Sequence, residues 1–288
     1  MQVFPIAYGC WRWTGTDHRL ARARVEAAVE SGIELFDLAD VYGGPGVAEE
    51  LFGRVLKDAP SLRARILVAT KCGVIPGIPY DASYTHVTRS AEASLRRLGC
   101  EVIDLFFIHR CDLLTHPEET ARALRHLYER GLVRAVGVSN YQPPQFRALQ
   151  RFLPVPITAY QREWSCVWQA PLLDGTMDHC LQDGLGFLAW SPLAGGKLLL
   201  DKQEAARETN GAVLSRVIEQ LDAVAARREV SRAAVALAFL LAHPVGAVPI
   251  LGTRRPERIR ELCAEVLRVR LERREWYAIL QASLGRLP

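Results

Sequence analysis

The chain has 288 residues, of which 49% are hydrophobic and 24% are charged, and this balance is typical of a globular protein. Its formal net charge of +4 rests on 32 arginines and four lysines. They are scattered rather than clustered with aromatic residues, so we expect no nucleic-acid binding. No apolar run approaches about 18 residues, and the first residues lack the pattern of a signal peptide, so nothing indicates export or membrane insertion.

The number and spacing of the cysteines indicate the cellular compartment and whether a metal is expected. There are seven cysteines, an odd number, with no C-x-x-C motif and no His/Cys spacing of the zinc type. We therefore expect neither a disulfide framework nor a bound metal. A reducing cytoplasm is the natural compartment for such a chain.

Short apolar segments alternate with segments of helical period along the whole chain. Strands are predicted at residues 4–10, 33–37, 65–71, 103–109, 133–138, 156–161, 186–190 and 247–251. Helices are predicted from an N-cap at Asp17 to Ser31-Gly32, and at residues 46–57, 85–98, 117–130, 143–152, 173–183, 212–243 and 256–266. Eight strands, each followed by a helix, favour an α/β fold in which residues 1–288 form a single closed (β/α)8 TIM barrel domain. No G-x-G-x-x-G follows the first strand, so nucleotide binding would have to use other loops.

Two segments are longer than the minimal strand-helix repeat. Residues 194–211 form a polar connection after the seventh strand, which either folds over a ligand or is an ordinary surface loop. Residues 271–284 have the pattern of an amphipathic helix, which we expect to pack on the outside of the barrel as an additional C-terminal helix.

Three of the predicted strands end in a charged or titratable residue. Asp37, Lys71 and His109 each share a strand face with the apolar residues before them, and Tyr42 follows Asp37 on a Gly-rich turn. One polar residue at a strand end is commonly a cap or a loop anchor. Three such residues on parallel strands, however, converge on one mouth of a barrel, where Lys71 and Asp37 would favour each other's charged forms. We expect Lys71 to lower the pKa of Tyr42 and so make this phenol a proton donor near neutral pH.

Polar residues also follow the later predicted strands. Ser139-Asn140 follows the fifth strand and Gln161 ends the sixth, although alone these are common turn and cap residues. Trp190 ends the seventh strand and would serve equally well as a core residue. Residues 250–258 join the eighth strand to a helix and carry several arginines, which suits phosphate binding or a solvated loop.

In order, spacing and strand context, Asp37, Tyr42, Lys71 and His109 resemble the catalytic Asp-Tyr-Lys-His tetrad of the aldo-keto reductases. The resemblance runs from about Gly9 to the last helix. A bacterial branch of poorly characterised oxidoreductases in that family is similar in three further places, which are Cys72-Gly73, Arg110 and residues 173–176. In the family a β-hairpin usually plugs the barrel before the first strand, and here we expect that plug to be shortened or absent.

The resemblance implies NADPH/NADP+ as the cofactor. It assigns the nicotinamide amide to Ser139, Asn140 and Gln161, with Trp190 stacking on the ring where the family often has tyrosine. It assigns the pyrophosphate to Ser191 and the backbone of Pro192 and Leu193, and it adds Gly195 and Lys197 as cofactor-binding residues. It assigns the adenosine 2′-phosphate to the loop with Gly252, Thr253, Arg254 and Arg258. Gly252 stands where the family often has a lysine.

The resemblance also implies a substrate pocket. Trp11 matches an aromatic residue of the family's pocket and Trp164 is a candidate for the opposite wall, although both would also suit the core. An aromatic, mostly uncharged mouth favours neutral carbonyl compounds over sugar phosphates.

Two functions are compatible with these patterns. The first is an NADPH-dependent reductase of aldehydes or ketones, in which hydride passes from nicotinamide C4 to the carbonyl carbon and Tyr42 protonates the oxygen. The second is a redox-sensing protein that binds NADP(H) with little turnover. The filled tetrad favours the enzyme, acting on a small-molecule carbonyl compound.

Overall fold

The computed structural model describes residues 4–287, and in it eight parallel strands close into a barrel in chain order, β1 next to β2 and so on until β8 pairs with β1. The strands are β1 (Ala7–Gly9), β2 (Leu35–Asp37), β3 (Leu67–Cys72), β4 (Leu105–Ile108), β5 (Val136–Ser139), β6 (Ile157–Glu163), β7 (Gly186–Trp190) and β8 (Val248–Leu251). This is the predicted (β/α)8 barrel, and the prediction of fold class is confirmed.

Helices surround the barrel. They are α1 (His18–Glu30), α2 (Val47–Asp58), α3 (Pro60–Arg63), α4 (Tyr84–Leu98), α5 (Pro117–Glu129), α6 (Pro143–Phe152), α7 (Ala170–Leu173), α8 (Thr176–Asp183), α9 (Lys202–Arg207), α10 (Gly211–Arg228), α11 (Arg232–Leu241), α12 (Pro256–Val266) and α13 (Arg273–Leu284). The N-cap of α1 is Asp17, as predicted, and its carboxylate accepts a hydrogen bond from the Leu20 N–H at 2.7 Å. No helix in the described part of the chain is both long enough and apolar enough to cross a membrane.

The barrel interior is filled by side chains that complement one another in size. Seven buried residues form the inner cluster: Ala7, Leu35, Ala69, Phe107, Ala159, Leu188 and Ile250. Phe107 pairs in register with Gly137, where a Cβ atom would lie only 2.4 Å from Phe107 Cε1. The glycine therefore provides the space that the phenyl ring occupies. On its other side Phe107 pairs in register with Lys71 of β3, whose Nζ lies 5.9 Å from the centroid of the phenyl ring.

Two predicted helices are each divided in the structure. The helix predicted at residues 173–183 is broken at Gly175, whose φ of 82° lies in the left-handed region that glycine adopts easily, and α8 begins after it. The stretch predicted at 212–243 is broken at Glu229, with φ 51°, and Ser231 caps the N-terminus of α11. In both cases one residue with a positive φ separates two helices, and the apolar period on either side is unchanged.

The two longer segments have their own structure. Residues 194–211 contain a 3₁₀ segment (Ala194–Leu199) followed by α9, so they are not an extended loop. The additional C-terminal helix is α13, and its Trp276 stacks on Phe239 of α11 with ring centroids 4.9 Å apart. Before β1, residues 4–6 form no strand, and the rest of the region where a plug was considered lies outside the described residues.

Candidate active site

A cleft of about 710 Å³ opens at the carboxyl ends of the strands. Because parallel strands all point the same way, the loops that follow them meet at this mouth. Asp37, Tyr42 and His109 line the cleft, and Lys71 lies fully buried beneath it. The structure therefore brings together the four residues that the sequence singled out.

Lys71 and Asp37 form a buried ion pair at the base of the cleft. Lys71 Nζ lies 2.6 Å from Asp37 Oδ1 and donates a second hydrogen bond, also 2.6 Å, to the Leu38 carbonyl. Asp37 Oδ1 also accepts a hydrogen bond of 2.8 Å from Gln161 Nε2. Burial lowers the pKa of Lys71, and the Asp37 carboxylate opposes that shift. Removing either partner would leave a buried charge without compensation, which typically costs about 3–5 kcal/mol.

Tyr42 lies directly above this pair. The Lys71 Nζ is 4.9 Å from the centroid of its ring, and the ring meets the His109 imidazole edge to face at 5.8 Å. Burial raises the pKa of Tyr42 well above its usual value, and the Asp37 carboxylate adds to the rise. The expectation of a lowered pKa for Tyr42 is therefore wrong for this structure, because burial and the negative charge of Asp37 raise it. The phenol stays protonated and so available as a donor.

His109 is held as a neutral ring. Burial, followed by the positive charges of Lys71 and Arg110, lowers its pKa to about 2. Its Nδ1 atom is buried and has no hydrogen-bond partner among residues 4–287. A neutral imidazole carries one N–H donor and one acceptor nitrogen, so it can donate a hydrogen bond to a carbonyl oxygen without bringing a charge.

Ser139, Asn140, Gln161 and Trp190 form one hydrogen-bonded wall of the cleft. Asn140 Nδ2 donates to Ser139 Oγ at 2.8 Å and to the His109 carbonyl at 3.2 Å, and Trp190 Nε1 donates to Asn140 Oδ1 at 3.0 Å. Ser139 and Gln161 are paired in register on β5 and β6. Gln161 Oε1 accepts no hydrogen bond from residues 4–287, and the Ser139 hydroxyl hydrogen is likewise free. This donor and acceptor set fits a planar amide such as the nicotinamide carboxamide.

The loop after β7 forms the adjacent wall. Ser191, Pro192, Leu193 and Gly195 all line the cleft. Lys197 does not line the cleft, and its ammonium group lies 2.5 Å from the carboxylate of Glu208. Across the cleft, Arg12 donates a hydrogen bond of 2.6 Å to the Gly195 carbonyl, which joins the loops after β1 and β7.

The loop after β8 completes the cleft at its far end. Gly252, Thr253, Arg254 and Arg258 line it, and both arginines are exposed. The first turn of α12 has no side-chain cap, so its free N–H groups and two guanidinium groups form a donor set that fits a phosphate.

Two buried donors hold this loop from beneath, and sequence reasoning missed both. Tyr8 donates its hydroxyl to the Thr253 carbonyl at 3.0 Å, and Arg24 of α1 donates Nε to the Arg254 carbonyl at 2.8 Å. Arg24 is only 2% exposed, which is unusual for an arginine. In the sequence Arg24 stands four residues from the apolar Leu20 and four from Ala28, and this helical spacing was the available signal.

The two tryptophans proposed for the substrate pocket lie in different places. Trp11 is 60% exposed and lines the cleft. Trp164 is fully buried outside the cleft, where its ring packs edge-on against Phe187 at 6.0 Å and its indole N–H binds Gln169. The structure therefore makes Trp164 a core residue, and its assignment to the pocket is wrong.

The structure adds cleft residues that the sequence did not assign to the pocket. Val74 and Tyr80, which form an antiparallel bridge after β3, line the cleft. Arg110 also lines it, one residue beyond His109. Among residues 4–287 no cluster of three or more His, Cys, Asp and Glu side chains is arranged to hold a metal ion.

Comparison with known proteins agrees with this geometry. A 6-dehydroglucose reductase of Novosphingobium aromaticivorans is 43% identical over 99% of this chain and 94% of its own length. An L-glyceraldehyde 3-phosphate reductase of Escherichia coli K12 is 32% identical over 91% of this chain and 83% of its own.

Among solved structures, a thermostable aldo-keto reductase, Tm1743, determined with the inhibitor epalrestat, superposes with a TM-score of 0.83. It is 25% identical, and the match covers 96% of this chain and 94% of that one. The family model described as aldo/keto reductase family matches residues 5–283, and the chain therefore belongs to the aldo/keto reductase family of oxidoreductases.

Proposed function

We propose that this oxidoreductase is an NADPH-dependent reductase of aldehydes or ketones. The observation that carries the proposal is the buried Lys71–Asp37 pair of 2.6 Å beneath Tyr42, with the neutral His109 beside it. A redox sensor would need the cofactor loops but not this arrangement, so the assembled tetrad supports catalysis.

The cleft offers a place for each part of the cofactor. Ser139, Asn140 and Gln161 would bind the carboxamide, Trp190 would pack on the ring, and the loop after β7 would hold the pyrophosphate. Arg254 and Arg258 at the start of α12 would bind the 2′-phosphate, which distinguishes NADPH from NADH. Bound NADPH supplies the hydride that reduces the carbonyl carbon.

The residues of the chain supply the proton and hold the carbonyl group. His109 donates a hydrogen bond to the carbonyl oxygen and orients it. Tyr42 then gives its phenolic proton to that oxygen as negative charge develops there, and Lys71 stabilises the phenolate that remains. Asp37 keeps Lys71 in place beneath the ring.

The names of two relatives support a substrate class. One acts on 6-dehydroglucose and the other on L-glyceraldehyde 3-phosphate, and both compounds are carbonyl derivatives of sugars. We therefore propose that this chain reduces a carbonyl compound rich in oxygen substituents. The preference for neutral carbonyl compounds over sugar phosphates, drawn from an aromatic mouth, stays a prediction, and 6-dehydroglucose is itself a neutral carbonyl compound.

We also propose that the chain acts as one domain in the cytoplasm. All seven cysteines are free thiols, which suits a reducing compartment.

The first test compares cofactor binding with turnover. Calorimetric titration should give a lower Kd for NADPH than for NADH, by roughly tenfold to a hundredfold, because charge-assisted hydrogen bonds to a phosphate contribute about 1.5–3 kcal/mol. Arg258→Ala should reduce that preference and leave NADH binding little changed. Equal affinities in the unmutated protein would remove the NADPH assignment.

The second test addresses the proton donor. Tyr42→Phe deletes one hydroxyl group, so the fold and cofactor binding should survive, while carbonyl reduction falls by about two orders of magnitude or more. Stopped assays with aldehydes and NADPH measure the loss. Tight NADPH binding without turnover in the unmutated protein would instead favour the sensor hypothesis.

A further inference from the structure

Arg110 is a cation in the cleft without a partner. It follows His109 at the end of β4, is partly buried and lines the cleft. It makes no hydrogen bond and no ion pair with any of residues 4–287. Its positive charge lowers the pKa values of Tyr42, His109 and Glu163, although burial outweighs this effect at Tyr42. The guanidinium group therefore lies close to the reacting end of the cleft.

Other partly buried arginines of this barrel are paired. Arg97 binds Glu49 at 2.6 Å, Arg162 binds Asp174 at 2.9 Å and Arg63 binds Asp104 at 2.9 Å. Arginines removed from water are ordinarily paired, because desolvation without hydrogen bonds costs free energy. Glu163 is a carboxylate whose pKa the charge of Arg110 lowers, yet the two are not within ion-pair distance and Glu163 does not line the cleft.

The surroundings of Arg110 define what a ligand there must provide. Trp11, Val74 and Tyr80 give the cleft apolar surface, and the Arg12 guanidinium is engaged with the Gly195 carbonyl. A ligand of carbon and hydrogen alone would cover Arg110 and leave its donors unsatisfied. An oxygen acceptor would satisfy them, since the guanidinium group presents its donors as a planar fork.

We infer that Arg110 is the specificity-determining residue that binds an oxygen acceptor of the substrate, a hydroxyl or a carboxylate close to the reacting carbonyl group. This inference rests on the proposed function and adds to it the residue responsible for substrate choice. Arg110 acts by binding and orienting the substrate, while proton transfer stays with Tyr42.

The test uses two matched pairs of aldehydes with NADPH. Glyceraldehyde is compared with propanal, which lacks the hydroxyl groups, and succinic semialdehyde with butanal, which lacks the carboxylate. For each aldehyde, kcat/KM is measured in the unmutated protein and in Arg110→Met. Comparing ratios cancels the intrinsic reactivity of each aldehyde, as in a double-mutant cycle.

In at least one pair, Arg110→Met should lower kcat/KM for the oxygenated aldehyde roughly tenfold or more beyond its effect on the alkyl aldehyde, the usual loss for a charge-assisted hydrogen bond. The loss should appear mainly in KM, because the contact is one of binding. The pair that shows the loss identifies the acceptor as hydroxyl or carboxylate. Equal losses within both pairs would overturn the inference.

Two further variants keep the test decisive. Arg110→Lys retains the charge but not the fork, so it should show a smaller loss in the same pair, and it serves if Arg110→Met does not fold. Arg65→Met changes an exposed arginine before β3 and should leave all ratios unaltered. If the unmutated protein reduced none of the four aldehydes, the proposed function itself would fail; turnover without a preference dependent on Arg110 would overturn this inference alone.

Discussion

His109 links the chemistry of the cleft to the stability of the protein. Its pKa is lowered from 6.5 to about 2 by burial and by the charges of Lys71 and Arg110. Between these two values the unfolded chain binds a proton that the folded chain does not. The stability contributed by the neutral ring is therefore complete above about pH 6.5, and it is lost as the pH falls toward the folded value.

Acidification should expose this linkage. Between about pH 7 and about pH 5 the free energy of unfolding of the unmutated protein should fall relative to that of His109→Gln, because glutamine does not titrate. The difference cannot exceed about 1.4 kcal/mol per pH unit, and partial exposure of the ring makes it smaller. Urea titrations of both proteins across this range measure the difference. A gap that does not change with pH would mean that the ring is not held neutral.

Two elements cooperate at the end of the cleft formed by the loop after β8. The helix α1 provides Arg24 and the strand β1 provides Tyr8, and these side chains hold the carbonyl groups of Arg254 and Thr253. Because both contacts come from inside the protein, the loop after β8 keeps its shape before any ligand arrives. A loop held in this way loses less conformational entropy on binding.

Removing the buried donor should weaken binding from a distance. Arg24→Met frees the Arg254 carbonyl, and we expect the Kd for NADPH to rise roughly tenfold, as for one hydrogen bond to a charged group. The Kd for NADH should rise less, since NADH has no 2′-phosphate to bind at the loop after β8. Arg22→Met is the matched control, because Arg22 lies on the same helix and pairs with Glu26 on the surface. Calorimetry on the three proteins decides the matter, and an unchanged Kd in Arg24→Met would contradict the supporting role.

At the level of elements, the sequence predicted what depends on local period. The alternation of apolar residues located all eight strands and the residues at their ends, because burial imposes a period of two on a strand and 3.6 on a helix. The breaks at Gly175 and Glu229 depend on one backbone angle each and leave that period intact. The Asp-Gly pair before α8 was a turn signal, whereas nothing comparable marked Glu229.

The candidate site was predictable to a similar limit. Asp37, Lys71 and His109 could be assigned to one mouth because parallel strands share a direction. Trp164 could not be placed, since it follows β6 and its side of the wall depends on packing with Phe187. The pKa of Tyr42 depends first on how deeply the phenol is buried and then on the nearby Asp37 carboxylate, and sequence spacing carries no information about that burial.

The cleft is built from loops that follow most of the strands, so we expect a ligand bound there to stabilise the whole barrel against unfolding. NADP+ that binds only the folded barrel should raise its free energy of unfolding by about 2.7 kcal/mol at a concentration of roughly 100 times Kd. At equal concentrations NAD+ should raise the free energy of unfolding less than NADP+ does. In Arg258→Ala the two ligands should raise it by similar amounts. Thermal denaturation with each ligand measures these shifts. Equal stabilisation by NAD+ and NADP+ would speak against a 2′-phosphate site at the start of α12.

The fit between Gly137 and Phe107 has a consequence for inherited variation. Gly137 does not line the cleft, yet a single added methyl group would meet the phenyl ring at 2.4 Å, and Lys71 Nζ lies 5.9 Å from the centroid of that ring. An allele encoding alanine at this position would keep every residue of the cleft and still disturb the lysine beneath the phenol. A genetic screen for lost activity in this protein should therefore recover substitutions in the barrel interior as well as at the mouth.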